Sequence, residues 1–146
     1  MKILITFILI TLFSFISHSH KYETENVLVD HPWMKIMNKN GAGYFKIQNT
    51  GTADVHLLGV VSKNVKNIEL HTMVMEEGVA KMRPINGGVV IKIGDTIEFK
   101  PMSYHLMFFD IKNDYNEGEF MKAVFKFKNA NDLEVKFKID SKKSSH

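Results

Sequence analysis

LEVKFKID, residues 133–140, sets Leu133, Val135, Phe137 and Ile139 against Glu134, Lys136, Lys138 and Asp140 in strict alternation. Successive side chains of an extended strand point to opposite faces, so this stretch has one apolar face and one wet face. That pattern belongs to an antiparallel sheet laid on a core. Asn129, Asn131 and Asp132 supply a turn just before it, and the run 119–128 before that turn completes a terminal hairpin.

Working upstream, the same grammar repeats. Residues 104–111 are strongly apolar, and residues 89–93 and 96–99 flank Gly94-Asp95 as a pair of short strands closed off by Pro101. Residues 67–75 begin a strand of mixed character that turns at Glu76-Glu77-Gly78. Val55, Leu57, Gly59 and Val61 share one face of a further stretch. Turn-rich residues 38–43 lead into a strand at 44–48, and residues 27–34 form the first strand, with Pro32 marking an edge or a bulge. No stretch carries the period of a long helix. The expectation is an all-β sandwich or barrel, a single domain over residues 20–140, with residues 141–146 a flexible tail.

The start of the chain reads differently. Lys2, the apolar run 3–16, and Ser17 and Ser19 at small-residue spacing make residues 1–19 a secretory signal peptide, cleaved before His20; an uncleaved anchor is the alternative. Either way the domain works outside the cytoplasm, and a periplasmic location is expected.

Composition narrows the function. The chain of 146 residues is 45% hydrophobic and 24% charged, as expected for one ordinary core. Its formal charge is +3, and Lys2 is the only charged side chain in 1–19, so a chain beginning at His20 carries +2. Lysines are interspersed with acids rather than gathered with aromatics, which argues against nucleic-acid binding. No cysteine is present, which excludes disulfides, thiolate metal sites and copper centres of the His/Cys type. No nucleophile elbow, HExxH motif or isolated carboxylate pair points to an enzyme.

Nine methionines take the place of the missing sulfur. Most methionines are core filler and most histidines are ordinary polar residues, so position has to decide. In YHLM, residues 104–107, His105 and Met107 are two apart in a strand and share a face, while Leu106 takes the other. In HTMVMEEGVAKMRP, residues 71–84, a hairpin brings Met82 back toward His71. Two imidazoles and two thioethers make a neutral, soft donor set that suits copper(I) far better than zinc or hard cations. Met73, and Met75 if the strand continues, share the face of His71 and remain candidates for the same role. His18, His20 and His146 offer only a weak auxiliary copper(II) site, and His31 and His56 read as surface histidines.

The spacing His71, ten residues, Met82, twenty-two residues, His105, one residue, Met107 resembles the signature of the periplasmic copper chaperones of the PCuAC family. IELHTMVMEEGVAKMRPINGG and GDTIEFKPMSYHLMFFDI resemble that family's core segments, and Trp33, Gly43-Tyr44 and Gln48-Asn49-Thr50-Gly51 fall where similar elements are expected. The resemblance covers about residues 27–139. It implies a cupredoxin-like Greek-key β-sandwich or barrel that holds copper(I) through His71, Met82, His105 and Met107. It implies delivery of that ion for assembly of the copper centres of cytochrome c oxidase, beside Sco-type thiol chaperones. Trp33, Tyr104 and Phe108 are then candidates to line the site. The alternative of another class is a non-metal β-sandwich interaction module of the cell envelope.

Overall fold

The computed structural model describes residues 20–140; the signal peptide expected at 1–19 and the tail expected at 141–146 lie outside them. Within that span there is no helix, and eleven strands follow in chain order. They are β1 (Lys21–Glu23), β2 (Val27–Met37), β3 (Asn40–Asn49), β4 (Val55–Val61), β5 (Asn67–Glu76), β6 (Val79–Pro84), β7 (Val89–Ile91), β8 (Thr96–Phe99), β9 (His105–Phe109), β10 (Phe120–Phe127) and β11 (Leu133–Ile139). The hydrogen-bonded order is β6-β5-β9-β3-β2-β11-β10-β4-β7, with β1 on β2 and β8 on β3. This is the all-β architecture that the alternating segments predict, and the cupredoxin-like arrangement that the resemblance implies.

The terminal hairpin forms as read. Met121 faces Phe137 and Ala123 faces Val135 across β10 and β11, and all four are buried. The aromatic centre packs around Phe45, which stacks on Phe99 at 4.2 Å and meets Phe125 edge-on at 4.9 Å. Each such side chain, fully removed from water, contributes about 1.5–3 kcal/mol.

Several local readings differ from the structure, each for a physical reason. Of the two readings of Pro32 the bulge holds and the edge does not: β2 is an interior strand that pairs both β3 and β11, and the ladder tolerates the proline because the register shifts between Asp30 and Trp33, where His31 takes φ 47°. The pairing of β11 with β2 is parallel, although every other pairing is antiparallel. In β4 the inward position after Leu57 is Val60, while Val61 is exposed, because Leu58 is an extra residue between the Leu57–Phe127 and Gly59–Lys126 pairs and shifts the alternation by one. Strands β7 and β8 do not pair with each other; β7 joins β4 and β8 joins β3.

The segment 38–43 is the most consequential difference. Only Asn38 and Lys39 turn; β3 already runs from Asn40. Gly41 and Gly43 are strand residues that let other chains come close: a Cβ at Gly43 would stand 2.6 Å from Phe108 Cε2, and one at Gly41 would stand 2.9 Å from Met34 Cε. Along one edge of β3 the chain lays β9 against residues 41–43 and β8 against residues 45–48, with the Pro101 turn between them. The glycines thus seat β9, which carries His105 and Met107.

Candidate metal centre

Strand β9 lies between β5 and β3. Its register puts His105 directly opposite His71, Leu106 opposite Leu70 and Met107 opposite Glu69. On the other side Met107 pairs with Ala42 and Leu106 with Gly43. Directly paired residues share a face, so Leu70, Leu106 and Phe108 enter the core while Glu69, His71, His105 and Met107 share the opposite face. Phe108 is therefore not part of the site: it is fully buried, edge-on to Phe137. Tyr104 packs on Phe99. Trp33 sits 4.5 Å from Tyr44, and Ala42 carries that face of β3 onward to Met107.

The two imidazoles are held in complementary ways. Their ring centroids are 5.6 Å apart. His105 is 5% exposed, and its Nδ1–H donates to the Ser103 carbonyl at 2.9 Å. That leaves Nε2 with the lone pair. His71 Nε2–H donates to the Glu69 carboxylate at 2.9 Å, which leaves the lone pair on Nδ1. That Nδ1 is buried and has no hydrogen-bond partner among the described residues. An unmet buried acceptor costs about 1–3 kcal/mol, and a cation would relieve it. A carboxylate or carbonyl behind a ligating imidazole is the usual arrangement for fixing tautomer and ring orientation.

Burial lowers the His105 pKa, the Ser103 carbonyl opposes that, and nearby His71 adds to the lowering; the net direction is down. The ring thus stays neutral, the form that binds metal.

Met82 reaches this face from the next strand. It pairs with Met73 across β5 and β6, two paired positions beyond His71, which itself faces Pro84. Both methionines fall on the His71 face. Met82 is 51% exposed, so the imidazole end is sheltered and the β6 thioether is open. Beside Met107 the face continues into a cavity of about 430 Å³ that Lys35, Met37, Ala42 and Tyr44 also line. Among the described residues no group of three or more His, Cys, Asp or Glu could hold a metal; the soft donors on this face beside the two imidazoles are the thioethers of Met73, Met82 and Met107.

The remaining described histidines have other occupations. His31 lies beside Asp30 at 2.7 Å, and His56 Nε2 is 2.7 Å from the Gly87 carbonyl. His20 packs on Phe120. His18 and His146, the other members of the auxiliary site considered above, lie outside the described residues.

A family model described as "Putative lipoprotein LpqE-like" matches residues 27–139. An uncharacterised protein of Rickettsia prowazekii is 32% identical over 98 residues, covering 66% of this chain and 54% of that protein. The chain thus spans about half the length of that relative. Among solved structures, the copper-bound PCuAC domain of PmoF2 superposes with a TM-score of 0.70 at 15% identity, covering 84% of this chain and 98% of that domain. The copper(I) solution structure of DR1885 from Deinococcus radiodurans gives 0.62 at 17%, covering 79% and 78%. At these identities the structural likeness is one of fold: the chain has the fold of PCuAC domains.

Proposed function

This chain belongs to the LpqE-like family, and from that premise we propose that it is an exported, envelope-associated carrier of a single copper(I) ion, held by His71, His105, Met107 and Met82. The observation that carries the proposal is the direct pairing of His71 with His105, each ring pinned by a second partner so that one lone-pair nitrogen remains. Support comes from the structures that share this fold, a copper-bound PCuAC domain and a copper(I) form of DR1885, and from the family's description as putative lipoproteins. A signal peptide at 1–19 and a periplasmic location complete this reading.

The chain's residues divide the work. His105, anchored by Ser103, and His71, anchored by Glu69, hold the ion at the sheltered end. Met107 lies on the same face as both, and Met82 approaches from the exposed strand β6. Soft, neutral donors favour the monovalent ion, and an exposed thioether is the ligand that an incoming group can replace first. Release then needs no unfolding of the sheltered end. The recipient we propose is the copper site of a cytochrome c oxidase subunit, reached directly or beside a Sco-type thiol protein.

Anaerobic copper(I) titration against a competing chelator tests the reading. One ion per chain is expected, with weaker binding in each of His71→Ala, Met82→Ala, His105→Ala and Met107→Ala. A folded wild-type protein that cedes all copper(I) to a chelator of moderate affinity ends the proposal and favours a non-metal interaction module, for which the exposed edge strand β6 would be the docking element.

A further inference from the structure

Strands β5 and β6 run on as a two-stranded ribbon beyond the last β5–β9 pair, His71–His105. The ribbon closes at Glu77-Gly78, where φ is 52° and 78°, the positive pair required by a tight hairpin turn. Its two faces differ chemically. One carries Val74 opposite Lys81 and Thr72 opposite Arg83, with Glu76 bonded to Arg83 at 2.6 Å and to Lys81 at 3.0 Å. The other carries Met73 opposite Met82 and Met75 opposite Ala80. It holds three thioethers and no charged group of the ribbon.

Geometry lets those sulfurs meet. Directly opposed residues have Cβ atoms about 4.5–5.5 Å apart, and diagonal neighbours at about 7–8 Å are within reach of long side chains. Met73 and Met82 are directly opposed, Met75 and Met82 are diagonal, and Met73 and Met75 are neighbours on one strand face. Three flexible side chains at these spacings can turn their sulfurs onto one ion. Folding does not explain their presence: Met75 is 68% exposed and Met82 is 51% exposed. Exposed strand positions otherwise favour β-branched or aromatic residues. A set of three thioethers is selective for soft monovalent cations, because hard or divalent ions find neither charge nor oxygen in it.

We propose that Met73, Met75 and Met82 form an outer copper(I) position on this ribbon, where the ion is first captured and from which Met82, kept as a ligand throughout, carries it to the imidazoles of His71 and His105. The step is ligand exchange at a monovalent ion with no change of oxidation state. It rests on the carrier reading for its destination, while the outer position binds without the imidazoles. Met82 is the hinge between the two, lying across from Met73 and two paired positions from His71 on the same face.

The test uses the full protein with carbon-13-labelled methionine methyls and anaerobic copper(I). In His71→Gln, which disables the inner site, the methyls of Met73, Met75 and Met82 shift saturably, and adding Met75→Leu removes the response. In otherwise wild-type protein, Met75→Leu slows loading from a copper(I)–chelator complex several-fold. Motionless Met73 and Met75 methyls in folded His71→Gln, or unaltered loading in Met75→Leu, overturn the outer position. If wild-type protein then still binds one copper(I) tightly, the carrier reading survives alone. If tight binding is missing while the three methyls respond, the carrier reading fails and the outer position stands.

Discussion

His71 and His105 face each other across β5 and β9 with ring centroids 5.6 Å apart, and each ring has one nitrogen committed to a neighbour two residues earlier in the chain. The side chains are thus oriented by local partners before any ion arrives. An ion that finds its imidazoles already oriented has less ordering to impose, which strengthens binding.

The first prediction concerns Glu69. Its carboxylate accepts from His71 Nε2–H, lies opposite Met107 and is part-exposed. Loss of such a partner commonly lowers metal affinity about 10–100-fold. Glu69→Ala is expected to weaken copper(I) binding within that range while thermal stability of the metal-free protein changes little. Chelator competition on the variant checks this; unchanged affinity would mean that the carboxylate does not orient the ring.

A second prediction tests how β9 is seated. A Cβ at Gly43 would stand 2.6 Å from a Phe108 ring carbon and 3.2 Å from Phe137. Phe108 is fully buried and has nowhere to withdraw, so Gly43→Ala should cost about 1–3 kcal/mol. Phe108 is three residues from His105 on the same short strand, so the variant should also weaken copper(I) binding. Urea unfolding and chelator competition measure the two effects, and a variant as stable as wild type would show that β3 and β9 are less tightly apposed than described.

Copper itself should stabilise the fold. A ligand that binds only the folded chain adds stability as its concentration exceeds its dissociation constant, about 2.7 kcal/mol at a hundredfold excess. One equivalent of copper(I) is therefore expected to raise the melting temperature of the wild type, and to raise it much less in His105→Ala. An equal rise in both would place the ion elsewhere.

How much of this was legible in the sequence follows from what each pattern encodes. Period two in residues 133–139 fixes which side chains are inside, and period two in 105–107 puts His105 and Met107 on one face; both hold without knowing any partner strand. The His71–His105 pairing is a matter of register between distant strands, and alternation alone leaves register open by multiples of two. The seating of β9 depended on Gly41 and Gly43, whose composition reads as turn because glycine's role there is to admit Met34 and Phe108 rather than to bend the chain. The slip that buries Val60 instead of Val61 comes from a bulge at Leu58 in β4, visible only in the pairing with β10, a strand more than fifty residues away. The ribbon's two faces could be paired from sequence only once the turn was narrowed to Glu77-Gly78.

The last prediction is a pH dependence. Burial depresses the His105 pKa below the ordinary value of 6.5, with the proximity of His71 acting in the same direction and the Ser103 carbonyl against it. Where the folded pKa is the lower one, the unfolded chain takes up the proton more readily. The contribution of His105 to stability is then fully present above about pH 6.5 and declines as pH falls through the lower folded value. Protons also compete with copper at this nitrogen only once the pH has fallen below the ordinary imidazole range. In an NMR titration of the metal-free protein, His105 should protonate at lower pH than a free imidazole, and the melting temperature should fall between pH 7.5 and pH 5 by less in His105→Gln than in wild type. A His105 that titrates at or above the ordinary value would mean that the ring is wetter than its 5% exposure implies, and the sheltered end of the centre would have to be redrawn.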